Sequence, residues 1–198
     1  MSADSRFARR LAALAANGRK ALVPFITAGD PGRDATVPVL HALVAAGADL
    51  IELGVPFSDP LADGLTNQLA AQRALENGMT AARVFEFVKK IREFSEVPVV
   101  FYTYYNLVFS NGIEAYVKAA KAAGVDGMLV LDLPPEEGAE FSAAVRAHGI
   151  DSVCIVAPKQ LATSAATLAR SPNIMLSLCA QAQNHFLICP ARSNISKH

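Results

Sequence analysis

Apolar residues along this chain fall into short continuous runs, separated by longer stretches in which they recur every three or four positions. The runs ALVPFIT (21–27), DLIELG (49–54), VPVVFYT (97–103), GMLVL (127–131), SVCIV (152–156) and IMLSL (174–178) are apolar on both faces, so they predict six buried strands. The intervening periodicity predicts helices over 5–17, 34–46, 66–77, 80–94, 112–123, 136–148 and 160–170. A weak repeat organises the alternation. Ala46-Gly47-Ala48-Asp49, Ala123-Gly124-Val125-Asp126 and His148-Gly149-Ile150-Asp151 each end an alanine-rich segment in glycine and then place an aspartate before a strand. Glycine in that position supplies a left-handed helix cap, so the repeat reads helix, cap, strand.

Strands that alternate with helices and are apolar on both sides imply a parallel sheet covered by helices. Six strands satisfy a doubly wound sheet and fall two units short of an eightfold barrel. Neither GxGxxG nor GxxxxGK[ST] is present to choose between them. Turn and polar residues cluster after the strands, in TAGDPG, GVPFSDPLADG, TYYN and DLPPEE, at the strand ends where both architectures place their sites.

Composition narrows the classes. The 198 residues are 52% hydrophobic and 18% charged with zero formal net charge, which fits one well-packed domain and argues against disorder, nucleic-acid binding or a membrane-surface role. No apolar stretch approaches the roughly 18 residues of a spanning helix. The arginine- and alanine-rich start raises a transit peptide, but Asp4 and the run into Leu22 fit a leading helix better. Cys154, Cys179 and Cys189 have no paired spacing and read as reduced thiols of a cytoplasmic protein. Cys179, His185 and Cys189 match no usual zinc pattern, so no metal is expected.

The second strand carries the chemistry. Leu50, Glu52 and Gly54 share one face, and Ile51, Leu53 and Val55 the other. The aliphatic face suits helices, which turns Glu52 to the opposite side, the interior of a barrel. Desolvation there would raise its pKa and suit it to proton transfer, and a buried pair with Lys or Arg is the competing reading. Asp63 and Asp59 lie in the following turn-rich loop, where an Asx-turn or helix cap is the alternative to a site role. Asp132 could hold ligand or cap the next helix, with Pro134, Glu136 and Glu137 as that helix's start. Phe25, Tyr102, Tyr104 and Tyr105 could line an aromatic pocket or pack the core.

PFITAGDP (24–31), IELGVPFSDPLADG (51–64), TYYN (103–106), AGVDGMLVLDLPPEE (123–137) and VAP (156–158) occur in this order, and together they closely resemble the tryptophan synthase alpha chain over residues 5–170. The resemblance implies a (β/α)8 TIM barrel that splits indole-3-glycerol phosphate into indole and glyceraldehyde 3-phosphate by retro-aldol cleavage, without a cofactor in this chain. It implies that Glu52 is the general acid/base and that Asp63 pairs with the indole N–H. Phe25, Tyr102 and Leu129 would line the indole pocket. The implied partner, in an alpha2beta2-type complex, is the beta chain, which carries pyridoxal phosphate and faces the loop bearing Asp63.

Departures from the family pattern set further expectations. Leu65 and Asn67 replace a usual proline and a usual apolar residue, and Asn67 adds polarity to the pocket. After Ser177 the chain reads LCAQAQNHFLICPARSNISKH, without the GVTG-type loop or the later glycine-rich loops that grip phosphate. The division expected is a partial barrel of about six βα units over 1–177 and an atypical tail over 178–198. Such an open sheet would have unpaired edges and low stability. The alternative to an active lyase is therefore an impaired or inactive form that only binds a beta chain.

Overall fold

The computed structural model describes residues 5–134, 137–156, 174–179 and 186–190, the side chains as far as Val153. Helix α1 (Arg6–Ala16) leads into β1 (Phe25–Thr27). A 3-10 turn at Arg33–Ala35 opens α2 (Thr36–Ala45), followed by β2 (Ile51–Gly54), α3 (Leu65–Glu76), α4 (Ala81–Arg92) and β3 (Val99–Thr103). Then come α5 (Tyr105–Ser110), α6 (Ile113–Ala123), β4 (Gly127–Val130), α7 (Ala139–Ala147), β5 (Asp151–Val156), β6 (Ile174–Cys179) and β7 (Phe186–Pro190). The sheet order follows the chain order, and β1 through β6 pair in parallel. From β1 to β5, sequential parallel strands joined by helical crossovers are the βα units of a partial (β/α)8 barrel.

The period-two alternation separates two apolar clusters. Ile51, Leu53, Val55, Val99, Phe101 and Met128 pack outward against the helices. Leu50, Val100, Leu129 and Val153 point inward, where Phe7 of α1 joins them fully buried and closes the strands' N-terminal end. Burying a side chain of that size stabilises the docking of α1 by about 2 kcal/mol.

The glycine–aspartate repeat builds that closed end. Gly47, Gly124 and Gly149 have φ of 93°, 97° and 64°, the left-handed region expected of the caps. The aspartates then hold α1 and the strand starts together. Asp49 accepts Arg10 at 2.5 Å and the Leu22 backbone N–H at 2.8 Å. Asp126 accepts Arg92 at 2.5 Å, Arg6 at 3.2 Å and the Val99 backbone N–H at 2.9 Å. Arg6 also pairs with Glu96.

Several boundaries differ from the sequence expectation. β1 begins at Phe25 rather than residue 21: the Leu22 N–H is spent on Asp49, and Pro24 has no N–H to donate. Helix α5 forms where a loop was expected, because Asp132, from beyond β4, accepts the Tyr105 N–H at 2.6 Å. Asp132 therefore caps α5 rather than the helix after it. That next helix starts at Ala139, so Pro134 and Glu137 precede it; the Glu137 N–H closes a turn on the Pro134 carbonyl at 3.0 Å. The largest correction concerns the segment after Ser177. β7 pairs antiparallel with β6, Cys179 opposite Phe186 through Met175 opposite Pro190, so the β6 edge expected to be open is paired. The helix expected over 160–170 lies outside the described residues.

Candidate active site

Glu52 sits in β2 between Phe25 of β1 and Val100 of β3, at the start of the barrel's C-terminal mouth. Only 4% of it is exposed. Its Oε1 has no hydrogen-bond partner, and no ion pair reaches it among the described residues. Burial alone raises its pKa from 4.5 to about 7. The buried-pair alternative is thus not what these residues form. A carboxyl group at this pKa holds its proton about half the time at neutral pH, as an acid–base group must.

The cover over Glu52 is aromatic. Gly54, one inward position further along β2, has no side chain, and the Phe25 ring uses the space: a Cβ on Gly54 would stand 2.9 Å from Phe25 Cζ. Phe25 thereby reaches across β2 to meet Tyr102 edge-on, with ring centroids 4.9 Å apart. Leu129 is opposite Tyr102 on β4 and buried in the interior cluster.

Asp63 is brought to the same place by its loop. The Val55 N–H continues the strand ladder to the Tyr102 carbonyl at 2.9 Å; Phe57 then stacks on Tyr104 at 5.1 Å. The Asp63 N–H turns back to the Pro60 carbonyl at 3.0 Å, and Gln68 of α3 donates to the Asp63 carbonyl at 2.9 Å. The carboxylate then points inward. Tyr102 donates its hydroxyl to Oδ1 and Tyr104 donates to Oδ2, each at 2.8 Å, and Asn67 approaches Oδ1 at 3.4 Å. Burial, with the Asp63 charge adding to it, pushes both phenols far above their ordinary range. Asp63 does not cap α3, whose cap position is Gly64. Asp59 takes a hydrogen bond from its neighbour Ser58 at 2.7 Å.

Phe25, Asp63, Tyr102 and Asn67 thus share one pocket wall, while Glu52 lies one inward position deeper on β2 and Leu129, opposite Tyr102, belongs to the interior cluster beneath. Tyr105 is excluded: it packs on the helix side, near Phe109. Tyr104 is the residue the sequence reading undervalued. It also accepts the Ala62 N–H at 3.1 Å, so one hydroxyl holds both the loop backbone and its carboxylate. The signal was present in the two-residue spacing of Tyr102 and Tyr104, which aims both toward the mouth. A wider hollow of about 420 Å³ lies at the opposite end, under α1. Arg6 and Arg10 on its wall are bound to Glu96, Asp126 and Asp49, which makes it the ionic seam of the helix rather than a reaction site. No cluster of potential metal ligands occurs among the described residues, and no described helix is long and apolar enough to cross a membrane.

A partial β/α barrel with a desolvated glutamate inside its mouth and a loop aspartate beside it defines the class of barrel protein with an acid–base pocket at the strands' C-terminal ends. Residues 11–174 match the family model described as tryptophan synthase alpha chain. The tryptophan synthase alpha chain of Opitutus terrae is 62% identical over 167 residues, 84% of this chain and 63% of that one; that of Laribacter hongkongensis is 53% identical over the same shares. Among solved structures, tryptophan synthase subunit alpha from Legionella pneumophila superposes with a TM-score of 0.86 at 36% identity, covering 91% of this chain and 69% of that one. A mutant alpha-subunit from Pyrococcus furiosus superposes with a TM-score of 0.75 at 41% identity, covering 80% and 64%. The chain belongs to the tryptophan synthase alpha chain family, and it spans 63% of the length of these two curated relatives.

Proposed function

We propose that this pocket is built for the alpha-type lyase reaction of tryptophan biosynthesis, the retro-aldol cleavage of indole-3-glycerol phosphate to indole and glyceraldehyde 3-phosphate. The observation that carries the reading is Glu52: a carboxyl group with no charged partner, desolvated to a pKa of about 7 beneath an aromatic pocket. The reaction needs such a group twice. A proton must be added to C3 of the indole ring, giving an indolenine, and a proton must leave the hydroxyl of the adjoining glycerol carbon. The C–C bond then breaks, its electron pair returns to the ring, and the hydroxyl carbon becomes an aldehyde. One proton is gained and one lost, so a single carboxyl group poised near neutrality can serve both transfers.

Asp63 supplies the second requirement. As C3 is protonated, positive charge develops on the indole nitrogen, and a fixed carboxylate facing the N–H stabilises it. Phe25, Tyr102 and Leu129 supply the aromatic and aliphatic walls. The chemistry calls for no cofactor in this chain.

The proposed partner is a beta chain carrying pyridoxal phosphate, in an alpha2beta2-type assembly in the cytoplasm. Supporting it, Leu61 in the Asp63 loop is 90% exposed and Phe109 after β3 is 62% exposed, apolar groups that a docked chain would cover. The test is indole release from indole-3-glycerol phosphate by the purified chain, with and without a beta chain, beside Glu52→Gln. Turnover that survives the substitution would sink the assignment of Glu52.

A further inference from the structure

Among the described residues, the pocket beside Asp63 is nearly closed. The space bounded by Phe25, Gly54, Phe57, Asp63, Tyr102 and Tyr104 is about 20 Å³, room for about one water molecule and not for a bicyclic ring. Glu52 lies below that space rather than on its wall. Two features close it. The Phe25 and Tyr102 rings meet across Gly54, one layer nearer the mouth than Glu52. The Tyr102 hydroxyl is tied to Asp63 Oδ1, whose other oxygen is tied to Tyr104.

Resting on the reading of this site as an indole pocket, we propose that Tyr102 is its gate. Its ring closes the way to Glu52, and its hydroxyl holds on Asp63 the place that the N–H of an entering indole ring would take. Tyr102 and Tyr104 differ in this respect. Tyr104 is bound to the loop at three points, through Phe57, the Ala62 N–H and Asp63, so it moves only with the loop. Among the described residues, Tyr102 is bound to the loop through its hydroxyl, and on its other side it meets the Phe25 edge and the interior aliphatics. Breaking one hydrogen bond frees it, and the bond lost to Asp63 is replaced by that of the incoming N–H. The gate therefore selects for aromatic ligands that carry a donor, because a ring without one opens it at the cost of an unreplaced bond to a carboxylate.

Two measurements test this on the full chain, and a third substitution guards against a folding artefact. The chain has no tryptophan, so bound indole can be followed by its own fluorescence. Tyr102→Phe keeps the ring and removes the tie. Indole affinity on the order of tenfold tighter than wild type is expected, and equal or weaker binding overturns the gate. Tyr102→Leu removes the ring and admits water to Glu52. In ¹³C NMR titration the Glu52 midpoint should then fall from about 7 toward 4.5, and an unchanged midpoint in a variant with native circular dichroism overturns the gate. Tyr104→Phe loosens the Asp63 loop but leaves the Tyr102 ring in place, so the Glu52 midpoint should stay near 7; a fall matching that of Tyr102→Leu would assign the gating to the loop instead. If the Glu52 midpoint falls but no form of the chain binds indole, the gate stands and the indole reading fails.

Discussion

The ring of Phe25 occupies the space that a side chain on Gly54 would need: a Cβ there would stand 2.9 Å from Cζ and 3.0 Å from Cε2. Replacing Gly54 with alanine forces that ring away from Tyr102. Overpacking of this kind costs about 1–3 kcal/mol. Urea unfolding should show that loss, together with weakened indole binding, and a Gly54→Ala chain of unchanged stability would show that Phe25 has somewhere else to go.

Glu52 makes stability depend on pH in a defined direction. Its folded pKa, about 7, is above the ordinary 4.5, so the folded state holds a proton that the unfolded chain releases in between. Its contribution is fully present below about pH 4.5, is lost as pH rises through 7, and changes little beyond. At about 1.4 kcal/mol per pKa unit the loss is ~3 kcal/mol. Glu52→Gln should flatten the dependence between pH 5 and 7.5 and, on the proposed lyase reading, lower indole release at least a hundredfold. A slope that persists in the glutamine variant would have to come from another group.

Tyr104 ties Ala62 and Asp63 to β3. Tyr104→Phe should release the loop: amide exchange at Ala62 is expected to accelerate, with a stability loss of about 1 kcal/mol or somewhat more, since one of the lost bonds is to a carboxylate. Protection of Ala62 equal to wild type would mean that the Pro60 turn holds the loop unaided.

At the other end of the sheet, Asp126 joins Arg92, Arg6 and the start of β3. Asp126→Ala leaves the Arg92 guanidinium its carbonyl acceptors on Gly124, Ser95 and Val97 but removes its paired carboxylate, and burial already lowers its pKa. A loss of about 3 kcal/mol in denaturant unfolding is expected, as for other broken buried pairs. A change below about 0.5 kcal/mol would place the seam among surface ion pairs.

Leu61 is almost wholly in solvent. Leu61→Asp should leave stability within about 0.5 kcal/mol, while weakening association with a beta chain in a pull-down or titration. Undiminished association would move the proposed contact away from this loop.

Glu52 shows how far sequence alone reaches. The alternation Leu50–Glu52–Gly54 against Ile51–Leu53–Val55 is a local property of an extended chain, and it settles which face of β2 each side chain takes before any partner strand is known. The glycine–aspartate repeat is equally local, because a left-handed cap is a requirement on one residue's φ. The order of the βα units follows from the same two periodicities.

Other features were decided only by contacts between distant segments. Asp63 looked like a turn residue until Tyr102 and Tyr104, some 40 positions later, claimed both its oxygens. Helix α5 exists because Asp132 reaches back 27 residues to cap it, a partner no local window contains. The pairing of β7 with β6 is antiparallel although every earlier pair is parallel, because a strand edge accepts a partner of either direction and hydrophobic runs carry no arrow. Periodicity determines where a side chain points; packing decides what it meets, and in this pocket that decides whether Glu52 is open to a ligand or shut beneath Tyr102.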